Sequence, residues 1–453
     1  MTTAVTLRAM VVRIAPKTKL ALRRTLSTTC SAKKMEKERV IVISGPTGAG
    51  KSRLALELAK KLNGEIISAD SVQVYQGLDI GSAKPSLSDR KEVPHHLIDI
   101  LHPAEDYSAG QFFEDARKAT RGIIQKGRVP IVTGGTGLYL RWYMYGKPEV
   151  PETSPKIASE VHSELIDLQR SGDWDAAVQL VVKAGDWKAQ DIPFNNWYRL
   201  RRSLEIIKSS GAPPSSFQIP YDSFRNPVES REAGPLNDIA AHDDHEEKLP
   251  ANLDYDFMCF FLTNRRTDLY RQIDERCECM LLGGDDGLLS EASRLLDVGL
   301  LPNSNPATRA IGYRQAMEYL LSCRRQGGRS SPGDFFRFLA EFQKASRNFA
   351  KRQLTWFRKE LIYEWLDASQ PLEKVLDVVQ EAYHDKTGNF MVPESLQMRK
   401  DLADRRETKE MKMYRPQNRH LVSRADCSEI FDWIETTQTE PIQVRGRETY
   451  VSV

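Results

Sequence analysis

At 453 residues the chain is too long for a single compact core, so two structured lobes with appendages are expected. Forty per cent hydrophobic and 28% charged residues are ordinary for a soluble protein, and a net charge of only +3 means that any nucleic-acid affinity must come from local patches. The longest apolar runs, such as Phe257 to Leu262, are far short of the ~20 residues of a membrane span, and six cysteines without repeating spacing argue against a disulfide framework and for a reducing compartment.

In chain order, the first 35 residues carry eight Arg or Lys and no Asp or Glu, the composition of an organelle transit peptide, with a disordered basic tail as the plainer reading. A mitochondrial or plastid location is therefore expected, with the cytosol as alternative. Val40 to Ser44 is a short β-branched run that reads as a buried strand. Gly48 to Leu62 follows as a helix with Leu54, Leu58 and Leu62 at four-residue spacing. Glu65 to Ala69 is a second strand running into Asp70, Gly110 to Lys126 a helix, and Val129 to Thr133 a strand closing on Gly134-Gly135-Thr136-Gly137. Such alternation predicts an α/β fold, a doubly wound parallel sheet whose ligands sit beyond the carboxyl ends of the strands. The loop Gly45 to Ser52, Asp70 and Thr136 all fall at such ends, so one crevice is expected to contain all three.

From Pro155 to Ser210 the pattern turns helical and charged, with Leu200, Leu204 and Ile207 on one face, which predicts an inserted helical lobe. Asn226 to Asn252 holds seven acids against two basic residues and reads as a disordered acidic insert. The sheet resumes at "FMCFFLTN", a helix with Leu269, Ile273, Cys277 and Met280 inward follows, and "FFRFLAEFQKASRNFAKRQLTWFRKELIYEW" predicts one long helix ending near Trp365. Phe342, Phe349 and Trp356 recur in it every seven residues and are assigned to packing; Lys344, Arg347, Lys351, Arg352, Arg358 and Lys359 form a basic flank assigned to RNA. The resulting organisation is a leader (1–38), a first core segment (39–150), the helical lobe (151–215), the acidic insert (216–253), a second core segment with the basic helix (254–365) and a charged C-terminal extension (366–453).

Gly45-Pro46-Thr47-Gly48-Ala49-Gly50-Lys51-Ser52 matches G-x-x-x-x-G-K-[ST] between a strand and a helix, a P-loop. Its glycines let amides converge on phosphate oxygens, Lys51 adds positive charge, and the Ser52 hydroxyl is the expected Mg²⁺ ligand. The loop specifies a diphosphate without specifying what is attached to it. Asp70 suits a general base, a magnesium ligand through water, or a helix cap, and Thr136 a ligand hydrogen bond or a turn. Cys277 and Cys279 stand two apart on a helix and point to different faces, so no protein metal cluster is expected.

The blocks "GPTGAGKS", "ISADSVQVYQGLDIGSAKP", "PHHLIDI", "YSAGQFFEDA", "PIVTGGTGLYL", "RLRRSLEI", "NRRTDLYRQID", "AIGYRQAMEYL" and "AKRQLTWFR" stand in the order of the tRNA dimethylallyltransferase family, which the chain resembles from about Val40 to Phe357. The leader, insert and tail resemble a plant member most. The resemblance implies a P-loop NTPase-like core that transfers the dimethylallyl group of dimethylallyl diphosphate to N6 of the adenine just 3′ of the anticodon. The acceptors would be tRNAs reading codons that begin with U, whose turnover would supply cis-zeatin-type cytokinin. It further implies Mg²⁺ as cofactor, Asp70 taking the N6 proton, and Thr136 and Lys51 as its partners in catalysis. Arg266 would join the loop on the diphosphate, while Asp70, Ser71, Val72, Gln73, Thr136 and Tyr198, Arg199, Leu200, Arg201, Arg202 would contact the tRNA anticodon stem-loop. A monomer without membrane attachment is expected. The chain departs from relatives that carry a C-terminal Cys2His2 zinc finger, since only Cys427 follows Trp356. The basic stretch Arg399 to Arg424 would replace it electrostatically. The rivals are an adenylate isopentenyltransferase acting on free AMP, ADP or ATP, and a P-loop small-molecule kinase.

Overall fold

The computed structural model describes residues 37–217, 253–387, 390–400 and 405–439; the basic leader and the acidic insert fall outside the described residues. The six described strands are β1 (Arg39–Ser44), β2 (Gly64–Ser68), β3 (His95–His96), β4 (Val129–Gly134), β5 (Asp256–Thr263) and β6 (Tyr363–Asp367), paired in parallel in the order β3-β2-β4-β1-β5-β6. A parallel sheet needs helices on both faces, and β1 shows the consequence. Val40 and Val42 enter one core with Val132, Phe261 and Phe342, while Ile41 and Ile43 enter the opposite core with Leu54, Leu58 and Leu262.

The chain leaves β1 toward β2 on one side of the sheet and returns after β4 to β5 on the other. The direction reverses at the β1–β4 pair, where Ser44 stands opposite Gly134 and the Ser44 hydroxyl donates to the Gly134 carbonyl at 3.0 Å. That reversal opens the crevice in which a doubly wound sheet holds its ligand. The P-loop and the Gly-Gly-Thr-Gly turn emerge there side by side.

Three helices, Pro155–Ser171, Trp174–Ala184 and Trp197–Ser210, make up the lobe between β4 and β5. Their starts are capped by Ser154, Asp173 and Asn196, whose side chains accept the amides of Ile157, Ala176 and Arg199. Their inner faces close a separate core of Val161, Leu165, Trp174, Val181, Leu200 and Leu204.

The long basic helix spans Pro332–Phe357 and ends short of the Trp365 expected from sequence. The "LIYEWLD" stretch that follows alternates buried Tyr363 and Trp365 with exposed Glu364 and supplies β6, in register Phe261 to Trp365 with β5. An aromatic-rich segment beside an unpaired edge takes the period of a strand, and tertiary context overrides the helical run. Beyond it the helix Leu372–His384 buries Val375, Leu376 and Val379 in the same core as the P-loop helix, Lys51–Leu62. On the other face, Leu421, Cys427, Ile430 and Ile434 join the main core. Buried Glu278 fastens this segment by accepting the amides of Arg419, His420 and Leu421 at 3.0, 2.8 and 2.8 Å.

Candidate active site

The P-loop turns through left-handed backbone at Gly48 and Gly50, both at φ +83°, which a β-carbon would strain. This delivers the chain into the P-loop helix, whose first amides have no intrahelical acceptor and are positioned for an anion. Lys51 Nζ donates to the Pro46 carbonyl at 2.8 Å. Burial, together with the neighbouring Arg276 cation, pushes the Lys51 ammonium down to about 8, and only partial opposition comes from Asp70. Arg276 lies on the helix Arg266–Cys279 and donates from Nη1 to the Thr47 hydroxyl at 3.1 Å. Burial lowers its own pKa.

Asp70 lies just past β2. Its Oδ1 accepts the Val72 amide at 2.9 Å, which orients the carboxylate and engages one of its oxygens. The Ala69 amide donates to the Thr133 carbonyl at 2.7 Å and the Thr136 amide to the Ala69 carbonyl at 3.3 Å, so the ends of β2 and β4 are laced together. Two chambers meet at Asp70. The inner one is lined by Lys51, Ser52, Gln73 and His95, the outer one by Ser71, Val72, Thr136, Ile273, Met280 and Phe342, and both share Thr47, Arg276 and Phe349. Gln73 ties the inner wall, accepting from the Ser68 hydroxyl at 2.7 Å and donating to the Ser82 and Ala83 carbonyls at 3.2 Å.

Gln353, from the Pro332–Phe357 helix, bridges the two phosphate-side turns. Its Oε1 accepts the Thr47 amide at 2.9 Å and its Nε2 donates to the Gly135 carbonyl at 3.0 Å. A β-carbon on Gly135 would lie 2.2 Å from that Nε2, so the glycine makes room for the clamp.

A groove between lobe and core is lined by Asp106, Tyr198, Arg201, Asn305 and Arg309, and Arg309 also lines the outer chamber. Arg201 pairs with Asp106 at 3.1 Å, Arg202 donates to the Thr153 hydroxyl at 2.6 Å, and Arg199 is exposed. The fold thus gathers the P-loop, Asp70, Ser71, Val72, Gln73 and Thr136 around one cleft with Tyr198 and Arg201 at its approach. Two expected residues are elsewhere. Leu200 is 0% exposed and packs the lobe core, as its place on the apolar face with Leu204 requires. Arg266 lines neither chamber and donates to the Tyr270 hydroxyl at 3.2 Å, whereas Arg276 of the same helix reaches the P-loop. Arg276 was legible in principle, being one turn beyond inward-facing Ile273. Phe349 and Gln353 were not, because nothing in a heptad of aromatics says which member meets a cavity.

Among the described residues no group of three His, Cys, Asp or Glu side chains is placed to hold a metal. Exposed Ser52 and the Asp70 carboxylate nevertheless offer hard oxygen donors beside the anion site, the donor set for a Mg²⁺ held chiefly by phosphate oxygens and water.

Family models for IPP transferase and isopentenyl transferase match residues 73–360 and 38–98. The tRNA dimethylallyltransferase 9 of Arabidopsis thaliana is 64% identical over 405 residues, covering 89% of this chain and 87% of its own. The tRNA dimethylallyltransferase of Protochlamydia amoebophila is 36% identical over 348 residues, covering 77% and 89%. A solved eukaryotic dimethylallyltransferase acting on tRNA shares the fold with a TM-score of 0.55 at 24% identity, covering 88% of this chain and 85% of its own. With a P-loop after β1, a carboxylate at the end of β2 and relatives alike over most of their length, the chain belongs to the tRNA dimethylallyltransferase family.

Proposed function

We propose that this protein transfers the dimethylallyl group of dimethylallyl diphosphate to N6 of the adenine just 3′ of the anticodon in tRNA. The observation that carries the reading is the meeting of a diphosphate loop and an oriented carboxylate at one junction, with a cation-lined groove leading to it.

The P-loop amides, Lys51 and Arg276 hold the diphosphate and take up the charge that grows on it as the allylic C–O bond breaks. Mg²⁺ held at Ser52 would neutralise part of the same charge. The adenine, drawn out of the anticodon-loop stack, enters the outer chamber, where Thr136 and Asp70 hold it in line with the allylic carbon. The N6–C bond forms, the C–O bond breaks, the N6 proton passes to Asp70, and diphosphate leaves. Ile273, Met280, Phe342 and Phe349 line the chamber with apolar surface, which keeps water from capturing the allylic cation. A diphosphate suffices for the loop, and no ATP hydrolysis is required. In this reading the protein acts as a monomer after import into a mitochondrion or plastid.

Radiolabelled dimethylallyl diphosphate with Mg²⁺ is offered to an anticodon stem-loop and, separately, to AMP, ADP and ATP. Label is expected in the RNA alone; label in the nucleotides alone would make this a free-adenylate prenyltransferase. Asp70→Asn is expected to bind both substrates while turnover falls by ~10²–10⁴-fold.

A further inference from the structure

Before the short helix Leu87–Glu92 the chain runs through a loop, residues 79–83, that walls both chambers: Gly81 and Ser82 line the outer one, Ser82 and Ala83 the inner. Three successive amides of this loop converge on one buried carboxylate, Glu291 of the helix Leu288–Asp297. Its Oε1 accepts the Asp79 and Ile80 amides at 2.7 and 2.8 Å and its Oε2 the Gly81 amide at 3.0 Å, with the Tyr313 hydroxyl adding a fourth bond at 2.6 Å. Consecutive amides arranged in this way form an anion nest, and here the anion is the protein's own. Glu291 is 2% exposed, and among the described residues these four donors take the place of a paired cation. The loop is seated hard against the same cluster, since a β-carbon on Gly81 would lie 2.5 Å from the Tyr313 ring.

From the loop the hydrogen bonds continue to the reacting end of β2. The Ser82 and Ala83 carbonyls accept from Gln73 Nε2, Gln73 Oε1 accepts the Ser68 hydroxyl, and Ser68 ends β2 two residues before Asp70. Buried Lys84 ties the two ends of the loop region, donating to the Tyr75 carbonyl and to Asp79, both at 2.6 Å, so Glu291 is what holds its middle. We infer that Glu291 is a positioning residue for the transfer: from outside the cleft it sets the chamber wall at Ser82 and, through Gln73, the place of the Asp70 carboxylate relative to the P-loop. It lines neither chamber, so substrate binding is not its contribution. Without an acceptor at this position three amides are stranded and the loop shifts to find others. A displacement of about 1 Å at the reacting groups costs on the order of 10² in rate. The inference rests on the tRNA reading above.

The test sets Glu291→Gln, equal in size but with one acceptor oxygen replaced by a donor, against Arg324→Met. The latter removes the bonds of Arg324 to Ser293 and Asp297 of the same helix and to Gln438, and so controls for lost packing. Melting temperature, exchange of the 79–81 amides, and transfer from dimethylallyl diphosphate to the anticodon stem-loop are measured on the full chain. Glu291→Gln should lose about 10²-fold in kcat with KM for dimethylallyl diphosphate unchanged, and its 79–81 amides should exchange faster. Arg324→Met should lower the melting temperature and leave kcat as it is. Glu291→Asp, a carboxylate one methylene short, should show the same split more weakly and serves if the Gln variant does not fold. A wild-type kcat in Glu291→Gln, a fall in kcat with the three amides still protected, or losses in both variants that follow melting temperature would each overturn the inference. Wild-type protein that labels AMP, ADP or ATP in place of the stem-loop would overturn the tRNA reading alone, and the same comparison on that acceptor then decides the role of Glu291.

Discussion

Burial and the Arg276 cation bring the Lys51 pKa down to about 8, and this has two opposite consequences with pH. Its folded value of about 8 lies below the ordinary 10.5, so between those values the unfolded chain binds more protons and this group's contribution to stability increases as pH rises. Diphosphate binding needs the charged ammonium and runs the other way. KM for dimethylallyl diphosphate is expected to climb as pH passes about 8, with an inflection that is absent in Lys51→Arg, whose guanidinium stays charged. A pH profile with the same inflection in both proteins would assign it to another group. At this scale the sequence declared the loop, Asp70 and Thr136, because motif spacing and strand ends are local properties. Arg276 and Gln353 act across 229 and 306 residues of chain, a pairing that only the fold creates.

The Pro332–Phe357 helix has several duties along its faces: Phe335 and Leu354 pack the core, Phe342, Phe349 and Gln353 meet the cleft, and Lys351 meets solvent. Gln353 makes the helix a spacer between the phosphate loop and the Gly-Gly-Thr-Gly turn. Gln353→Leu keeps the volume and removes both bonds, stranding the Gly135 carbonyl and freeing the Thr47 amide at a cost of ~1–3 kcal/mol. Activity is expected to fall through kcat, since the diphosphate and Thr136 lose their mutual register while each half still binds its substrate. Equal loss in KM and stability without a change in kcat would reduce the clamp to packing. The helix itself was legible from its period. Its end was not, because residues 358–362 carry no proline or glycine and only the open edge of β5 recruits the next segment.

At the scale of the whole molecule, the parallel sheet follows from the alternation of runs, and its order follows from which edge each helix leaves free. The C-terminal segment was least legible, since a charged stretch gives no hint that Leu421, Ile430 and Ile434 reach the core behind a buried carboxylate. Glu278→Ala strands three backbone amides, so this segment should detach at a cost of about 1–3 kcal/mol and become cleavable by protease around residues 414–424 while β1 to β5 stay protected. Protection of the segment in that variant would show its apolar anchors to be enough. The helical lobe stands in another relation to the rest. It has a core of its own, and its links to the segments before it include the polar contacts of Arg201 with Asp106 and Arg202 with Thr153. Its amides should therefore exchange with solvent as one cooperative unit below the threshold of the sheet. On the proposed function, an anticodon arm of unusual shape would be accommodated by that unit yielding, while the distance from the P-loop to Asp70, set by the lacing of β1, β2 and β4, would stay the same for every tRNA that enters.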